Sequence, residues 1–249
     1  MTTRTLLLPL LLSFCFHARA TDRPLFSSEW GSIFERVVTD QGDTLSVGGI
    51  YADGSRITLY DLVRNRLIIL DTLGNFLDSV HLAPSGRAYA GDDFVIRGNE
   101  CIFLNSTDKR LAFFDLDDGR LLRTLPLPSD PFPEESSRIR KVLSRVFLDG
   151  SRLFVGNDFN VVAIDEGLGK YLPAGRVKRA PRGERFVLYR SDSSIVVKNG
   201  SLRDQRGRTW KDLPPRYQVW GKRYAKVNDA LVVVRFDANG VAVVRLPRS

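Results

Sequence analysis

The sequence predicts an all-β domain, a single small β-propeller of about six four-stranded blades, with five as the alternative count. Two observations predict it. Short runs of β-branched and aromatic residues recur, each meeting an Asp/Asn/Gly cluster. That is the composition of a strand entering a hairpin turn, because Gly and Asn tolerate the positive φ of tight turns. The turns start at positions 40, 71, 115, 165, 199 and 237. A period near forty residues belongs to repeat architectures and holds four short strands.

The chain opens on a secretory signal pattern over residues 1–20. Arg4 supplies the positive charge, Leu6 to Phe16 is an apolar run broken by Pro9 and Ser13, and Ala18-Arg19-Ala20 is a small-x-small cleavage site. The run is shorter than the roughly 20 residues a helix needs to cross a bilayer. Cys15 follows Phe14 rather than a small residue, so a lipid-attachment box does not fit. The expectation is cleavage after Ala20 and one exported propeller domain over 21–249, periplasmic or extracellular. No transmembrane segment is expected in that mature chain. Cys101 is then the one cysteine left. It excludes an internal disulfide and, between Glu100 and Ile102-Phe103, reads as a buried small hydrophobe.

The runs follow in order. Ile33–Val38 precedes Asp40-Gln41-Gly42, Leu67–Leu70 precedes Asp71–Gly74, and Leu111–Phe114 precedes Asp115–Gly119. Val161–Ile164 precedes Asp165–Gly169, Ile195–Val197 precedes Asn199-Gly200, and Leu231–Val234 precedes Asp237–Gly240. Further strands follow Asp53-Gly54, Gly98-Asn99, Asp149-Gly150 and Arg182-Gly183, and these four positions are expected to be equivalent. One strand from each end of the chain would complete a shared closing blade. A sandwich or barrel of the same hairpins is the competing architecture.

One segment departs from the pattern. Ser129 to Ser137 has linker composition. After it, Ile139, Val142, Leu143, Val146 and Phe147 fall at helical spacing, while Val142, Val146 and Leu148 also alternate. Residues 134–147 therefore read as a short basic helical insertion or as a strand.

The stretch from Tyr51 to Val80 resembles an NHL-type propeller repeat. Asp53-Gly54 opens it, Ile57 to Asp61 and Asn65 to Asp71 follow, and Gly74-Asn75-Phe76-Leu77 closes it. Asp108 to Leu122 resembles the second half of the same unit. The resemblance implies a six-bladed propeller serving as a binding platform, a scaffold or, less often, an enzyme. Some six-bladed propellers similar in outline are calcium-dependent hydrolases or lactonases.

Familiar chemistry is sparse. His81 is the one histidine beyond the signal, which argues against His-based metal sites and His-assisted nucleophiles. Zinc spacing, a G-x-S-x-G elbow and a Walker loop are absent from the sequence. Asp115 to Gly119 has a faint likeness to a calcium loop, better explained as a turn. Asp92-Asp93 would bind a cation if it faced a central channel, and reads better as a solvated loop. No catalytic or metal-ligating residue is assigned, and calcium is the one cofactor left open.

Charge is uneven. Residues 21–129 carry a net −5 and residues 130–249 a net +11, an asymmetry that points to an anionic partner. From Arg176 to Lys211 there are 11 basic and 3 acidic residues. Arg179, Arg182, Arg185, Arg206, Arg208 and Lys211 are the candidate ligand contacts, since guanidinium grips phosphate, sulfate or carboxylate. Tyr189, Trp210, Tyr217, Trp220 and Tyr224 are interleaved with them. The competing reading is a solvated basic rim with the tryptophans in the core. Two sequons, at Asn105 and Asn199, complete the inventory. The expected function is a binding or scaffold module for a protein or an anionic glycan or lipid headgroup. Nucleic acid is not expected at that address. The alternative is a calcium-dependent hydrolase acting at the channel mouth.

Overall fold

The computed structural model describes residues 24–29, 47–62, 64–82, 91–133, 135, 141–172, 178–180, 182–190, 194–199, 201–204, 206–210, 224–228, 230–237 and 240–246. The signal segment, the turn at Asp40, Lys211, Tyr217 and Trp220 lie outside these residues. So do Glu134 and residues 136–140 of the proposed helical insertion; from Arg145 the chain is a strand.

The described strands form five antiparallel sheets, four of them meanders and the fifth completed by a strand from the other end of the chain. Blade 1 holds β2 (Val47–Ala52), β3 (Arg56–Asp61), β4 (Arg66–Asp71) and β5 (Phe76–His81). Blade 2 holds β6 (Asp93–Arg97), β7 (Glu100–Asn105), β8 (Arg110–Asp115) and β9 (Leu121–Pro126). Blade 3 holds β10 (Arg145–Asp149), β11 (Arg152–Gly156) and β12 (Asn160–Asp165). Its outer position is divided between β13 (Lys170–Tyr171) and β14 (Lys178–Arg179), both paired with β12. Blade 4 holds β15 (Glu184–Leu188), β16 (Ile195–Lys198), β17 (Ser201–Asp204) and β18 (Thr209–Trp210).

Blade 5 takes β19 (Tyr224–Val227), β20 (Ala230–Asp237) and β21 (Gly240–Leu246) from the C-terminal end. Its outer strand is β1 (Phe26–Glu29) from the N-terminal end, with Phe26 opposite Val243. This is the shared closing blade, and it ties the two ends of the chain together without a disulfide. The first strands of the blades sit at the axis: β2 lies beside β6 and β19, β6 beside β10, and β15 beside β19.

Strand alternation builds the core between blades. Along β4, Leu67 and Ile69 pack toward blade 2, whereas Ile68 and Leu70 pack toward blade 5. Five buried clusters result, one at each interface around the ring. They show that five blades close the ring among the described residues, and the count of six is corrected. The miscount has a physical source, because the five described turns come from two places in the blade. Asp71, Asp115 and Asp165 end third strands, while Asn199 and Asp237 lie between second and third strands. The counterpart of Asp71 in blade 4 is Asp204. Likewise Arg182-Gly183 precedes a first strand, unlike Gly54, Gly98 and Gly150, which join first strands to second.

Two other sequence features are structural. Asn199 holds a φ of 48° in its hairpin turn, a conformation Asn tolerates. The Asp115 loop is a turn: Asp115 Oδ1 accepts from Asp117 N at 2.8 Å, and Asp118 Oδ1 from Arg120 N at 2.9 Å.

Candidate functional site

The turn after each third strand decides where the surface opens. In blade 1, Asp71 Oδ1 accepts from Leu73 N and Asn75 N, both at 2.8 Å, and Oδ2 accepts from Asn75 Nδ2 at 2.7 Å. Gly74 N donates to Asp71 O at 3.1 Å. Blade 4 repeats this set. Asp204 Oδ1 accepts from Arg206 N and Arg208 N at 2.9 Å, and Oδ2 accepts from Arg208 Nε at 2.7 Å. Gly207 N donates to Asp204 O at 2.9 Å. Both glycines have positive φ, 90° and 74°, which favours glycine.

What lies against these turns differs. A Cβ at Gly74 would stand 1.9 Å from the Leu25 carbonyl oxygen, and one at Gly119 would stand 1.8 Å from the His81 carbonyl oxygen. At Gly169 the nearest backbone atom is the Pro126 carbonyl oxygen, at 3.5 Å. In each case the turn rests on the outer strand of the preceding blade. At Gly207 no described atom lies within 4 Å. The preceding blade is blade 3, whose described outer strand pieces are β13 and β14; residues 173–177 between them lie outside the described residues.

A groove opens there. It is lined by Lys178, Arg179, Glu184, Phe186, Tyr189, Ser194, Val196, Lys198, Arg203, Asp204 and Gly207. Its volume is about 590 Å³, within the usual range of small-ligand sites. The floor is apolar, from Phe186, Val196 and the Tyr189 ring, which lies 5.5 Å from the Phe186 ring. The rim is cationic. Both acids on it are engaged: Glu184 with Lys198 at 2.9 Å and Asp204 with Arg208 at 2.7 Å. Burial pushes the Asp204 carboxyl up, but the N–H groups of Arg208 and Arg206 and the Arg208 guanidinium outweigh it and hold the pKa below the ordinary value. Arg203 Nε is buried with no hydrogen-bond partner among the described residues. A buried donor left this way calls for an acceptor.

The central channel is less open. Val95, Phe147, Leu148, Leu188 and Ala225 wall it, with Arg190 and Lys226 beside them, and the open space is about 40 Å³. That holds only a few water molecules. Asp93 stands at the start of an inner strand, 1% exposed, and its Oδ2 accepts from Val146 N at 3.0 Å. Its neighbour Asp92 accepts from Ser106 N at 2.6 Å. These aspartates stitch backbone. Among the described residues, no three His, Cys, Asp or Glu side chains gather as a metal site.

The residues singled out in the sequence divide accordingly. Arg179 lines the groove. Arg206 and Arg208 belong to the turn at its end. Arg182 lies exposed in the turn before β15. Arg185 goes elsewhere: Glu184 and Phe186 face the groove, so the residue between them faces blade 5. There its charge acts on the Tyr224 phenol at the start of β19. Lys211 lies outside the described residues. Trp210, 4% exposed, belongs to the core between blades 4 and 5. Lys178, Lys198 and Arg203 were missed, although period-two alternation from Phe186 through Val196, Lys198 and Arg203 could have placed the last two on one face.

No protein-family model and no curated protein matches the chain. The chain is similar to several solved propeller structures at low identity. A glutaminyl cyclase of Myxococcus xanthus shares 12% identity over 81% of this chain and 72% of its own, with a TM-score of 0.41. A Bacteroides fragilis protein described as exported shares 10% over 90% and 95%, with a TM-score of 0.47. BamB of Moraxella catarrhalis shares 18% over 82% and 61%, with a TM-score of 0.32.

Proposed function

We propose that this protein is an exported propeller that works as a binding module for an anionic partner, with the groove between blades 3 and 4 as its contact surface. The observation that carries the reading is the rim of Lys178, Arg179, Lys198 and Arg203 over an apolar floor. Cations beside low-dielectric walls attract anions more strongly than cations on an open surface. Export rests on the signal pattern of residues 1–20.

The test is retention of residues 21–249 on heparin and on immobilised lipopolysaccharide across a salt series. Wild type is expected to elute late, with a steep salt dependence. Replacing Lys178, Arg179 and Arg203 by Ser is expected to remove most of that retention. Replacing Arg182 and Arg185, which lie off the groove, is expected to remove little. Equal retention by the groove variant and wild type would overturn the reading.

A further inference from the structure

A second opening lies between blades 1 and 2, in the half of the chain that carries the net −5. Its volume is about 250 Å³. On its blade 1 wall, Thr58 on β3 stands opposite Ile69 on β4, and Ile69 stands opposite Asp78 on β5. Cross-strand partners share a face of the sheet, and Ile69 packs toward blade 2. Hydroxyl, apolar side chain and carboxylate therefore form one row facing blade 2. The blade 2 wall is Ile96, Asn99, Leu116 and Asp117. Leu116 N donates to Asn99 O at 2.9 Å, which ties the two turns of that wall together. Asp53 and Arg56, at the turn into β3, complete the lining.

We propose that this cleft binds a linear polyamine, its methylene stem along Ile69, Ile96 and Leu116 and its ammonium groups at the hydroxyl and the carboxylates. Thr58 is 2% exposed and lines the cleft, and its hydroxyl has no hydrogen-bond partner among the described residues. A buried polar group left this way calls for a partner, and an ammonium donates several N–H groups. Three carboxylates and one guanidinium line the opening, so it favours a cation. Asp53 Oδ1 already accepts from the N–H groups of Ser55 and Arg56, at 2.7 and 2.8 Å. Asp78 and Asp117, one on each wall, form no ion pair among the described residues. The charge is spread rather than focused: among the described residues, no three acidic side chains gather closely enough to hold a metal ion. Across three strands, Thr58 and Asp78 lie about 10 Å apart. That span suits ammonium groups joined by an alkyl stem, and not a point charge.

The probe is spermidine, titrated by calorimetry into residues 21–249 in about 0.15 M salt, which screens charges more than about 8 Å apart. Saturable binding at a single site is expected. The Asp78→Asn/Asp117→Asn protein should bind about tenfold less, and Thr58→Val about threefold less. Asp108→Asn/Asp130→Asn removes the same charge elsewhere and should bind as wild type does. Hexaamminecobalt(III) carries the charge of spermidine without a stem and should bind at least about tenfold more weakly. That comparison alters the ligand alone, so it does not depend on whether a variant folds. The Lys178→Ser/Arg179→Ser/Arg203→Ser protein should bind spermidine as wild type does, which separates this site from the basic groove. Equal affinity for hexaamminecobalt, or an equal loss in the Asp108/Asp130 variant, would reduce the binding to diffuse charge attraction and overturn the proposal. Absence of saturable spermidine binding would overturn it as well. So would tighter binding of a capped Lys-Ala-Lys peptide, which would assign the cleft to lysine side chains of a protein.

Discussion

The Leu25 carbonyl oxygen occupies the space where a side chain on Gly74 would begin, 1.9 Å from an ideal Cβ. Leu25 N also donates to Val243 O at 2.8 Å, so this contact sits where the two chain ends close the ring. Alanine at Gly74 must move backbone, and it must also adopt a φ of 90°. Gly119 stands in the same relation to His81. Gly74→Ala and Gly119→Ala should each lower stability by about 3 kcal/mol or more. Gly207→Ala meets only the φ penalty and should cost about 1 kcal/mol. Urea midpoints at unchanged slope measure the difference. An equal loss at Gly207 would show that its seat is filled.

That contrast marks what could be read from the chain. Asp-x-x-Gly forms the turn in blades 1 and 4 alike, but Asp71 follows an apolar run and announces it, whereas Asp204 follows Ser201-Leu202-Arg203 and does not. What the turn rests on comes from a strand of another blade, and no local pattern reports it. Lys170-Tyr171 starts an outer strand as Phe76-Leu77 does, and nothing in that dipeptide says that Lys178-Arg179 will pair with the same β12 further along. The basic stretch was legible as composition. Its division was not, because Arg179 and Arg185 lie in different strands and face different neighbours. The blade count failed for a related reason: a hairpin turn looks the same after a second strand as after a third.

Blades 2 and 3 are tied by Glu166, and this tie should titrate. Its carboxylate receives the Arg97 guanidinium through both nitrogens, and Arg123 Nη2 at 3.0 Å. Arg97 also donates to Ser151 O at 3.2 Å. The Arg97 hydrogen bonds come first in holding the Glu166 carboxyl below its ordinary value, against a smaller desolvation effect, with Arg123 adding to them. A depressed folded value adds stability that is fully present above the unfolded pKa, about 4.3, and is lost as pH falls through the folded one. Glu166→Gln should cost about 1–2 kcal/mol at pH 7, since the pair is part-exposed. The gap to wild type should narrow below about pH 4. Urea unfolding at neutral and acid pH checks it, and a gap that does not change with pH would rule the tie out.

Asp61 and Arg66 form a second ion pair, 3.1 Å long and almost wholly buried at 0% and 4% exposure. Burial pushes the Asp61 carboxyl up, while the Arg64 N–H and the Arg66 guanidinium pull it down by less. The sign is opposite to that of Glu166, because the folded state takes up the Asp61 proton first and gains from mild acid. Asp61→Ala leaves Arg66 buried without its carboxylate and should cost about 3–5 kcal/mol. Replacing both, as Asp61→Leu with Arg66→Met, should cost clearly less than the single change. A double variant as unstable as the sum of the single changes would mean that the two residues are not coupled, and the ion pair would not explain the loss in the single variant.

Cys101 reports on the interface between blades 1 and 2. It is fully buried in the cluster that holds Tyr60, Leu67, Phe94 and Phe103. Burial raises its thiol well above the ordinary value, so little thiolate exists at neutral pH. In residues 21–249 it is the sole cysteine, and a thiol reagent reads it without interference. Native protein should label slowly, at a rate set by the equilibrium population of the opened interface. Gly119→Ala disturbs that same interface, because Gly119 rests on His81 of blade 1. It should speed labelling by about the factor its loss of stability implies, at tenfold per 1.4 kcal/mol. Gly207→Ala lies at the far interface and should leave the rate near that of wild type. Rapid labelling of the unmutated protein would show that blades 1 and 2 separate readily, and the packing described for their interface would be wrong.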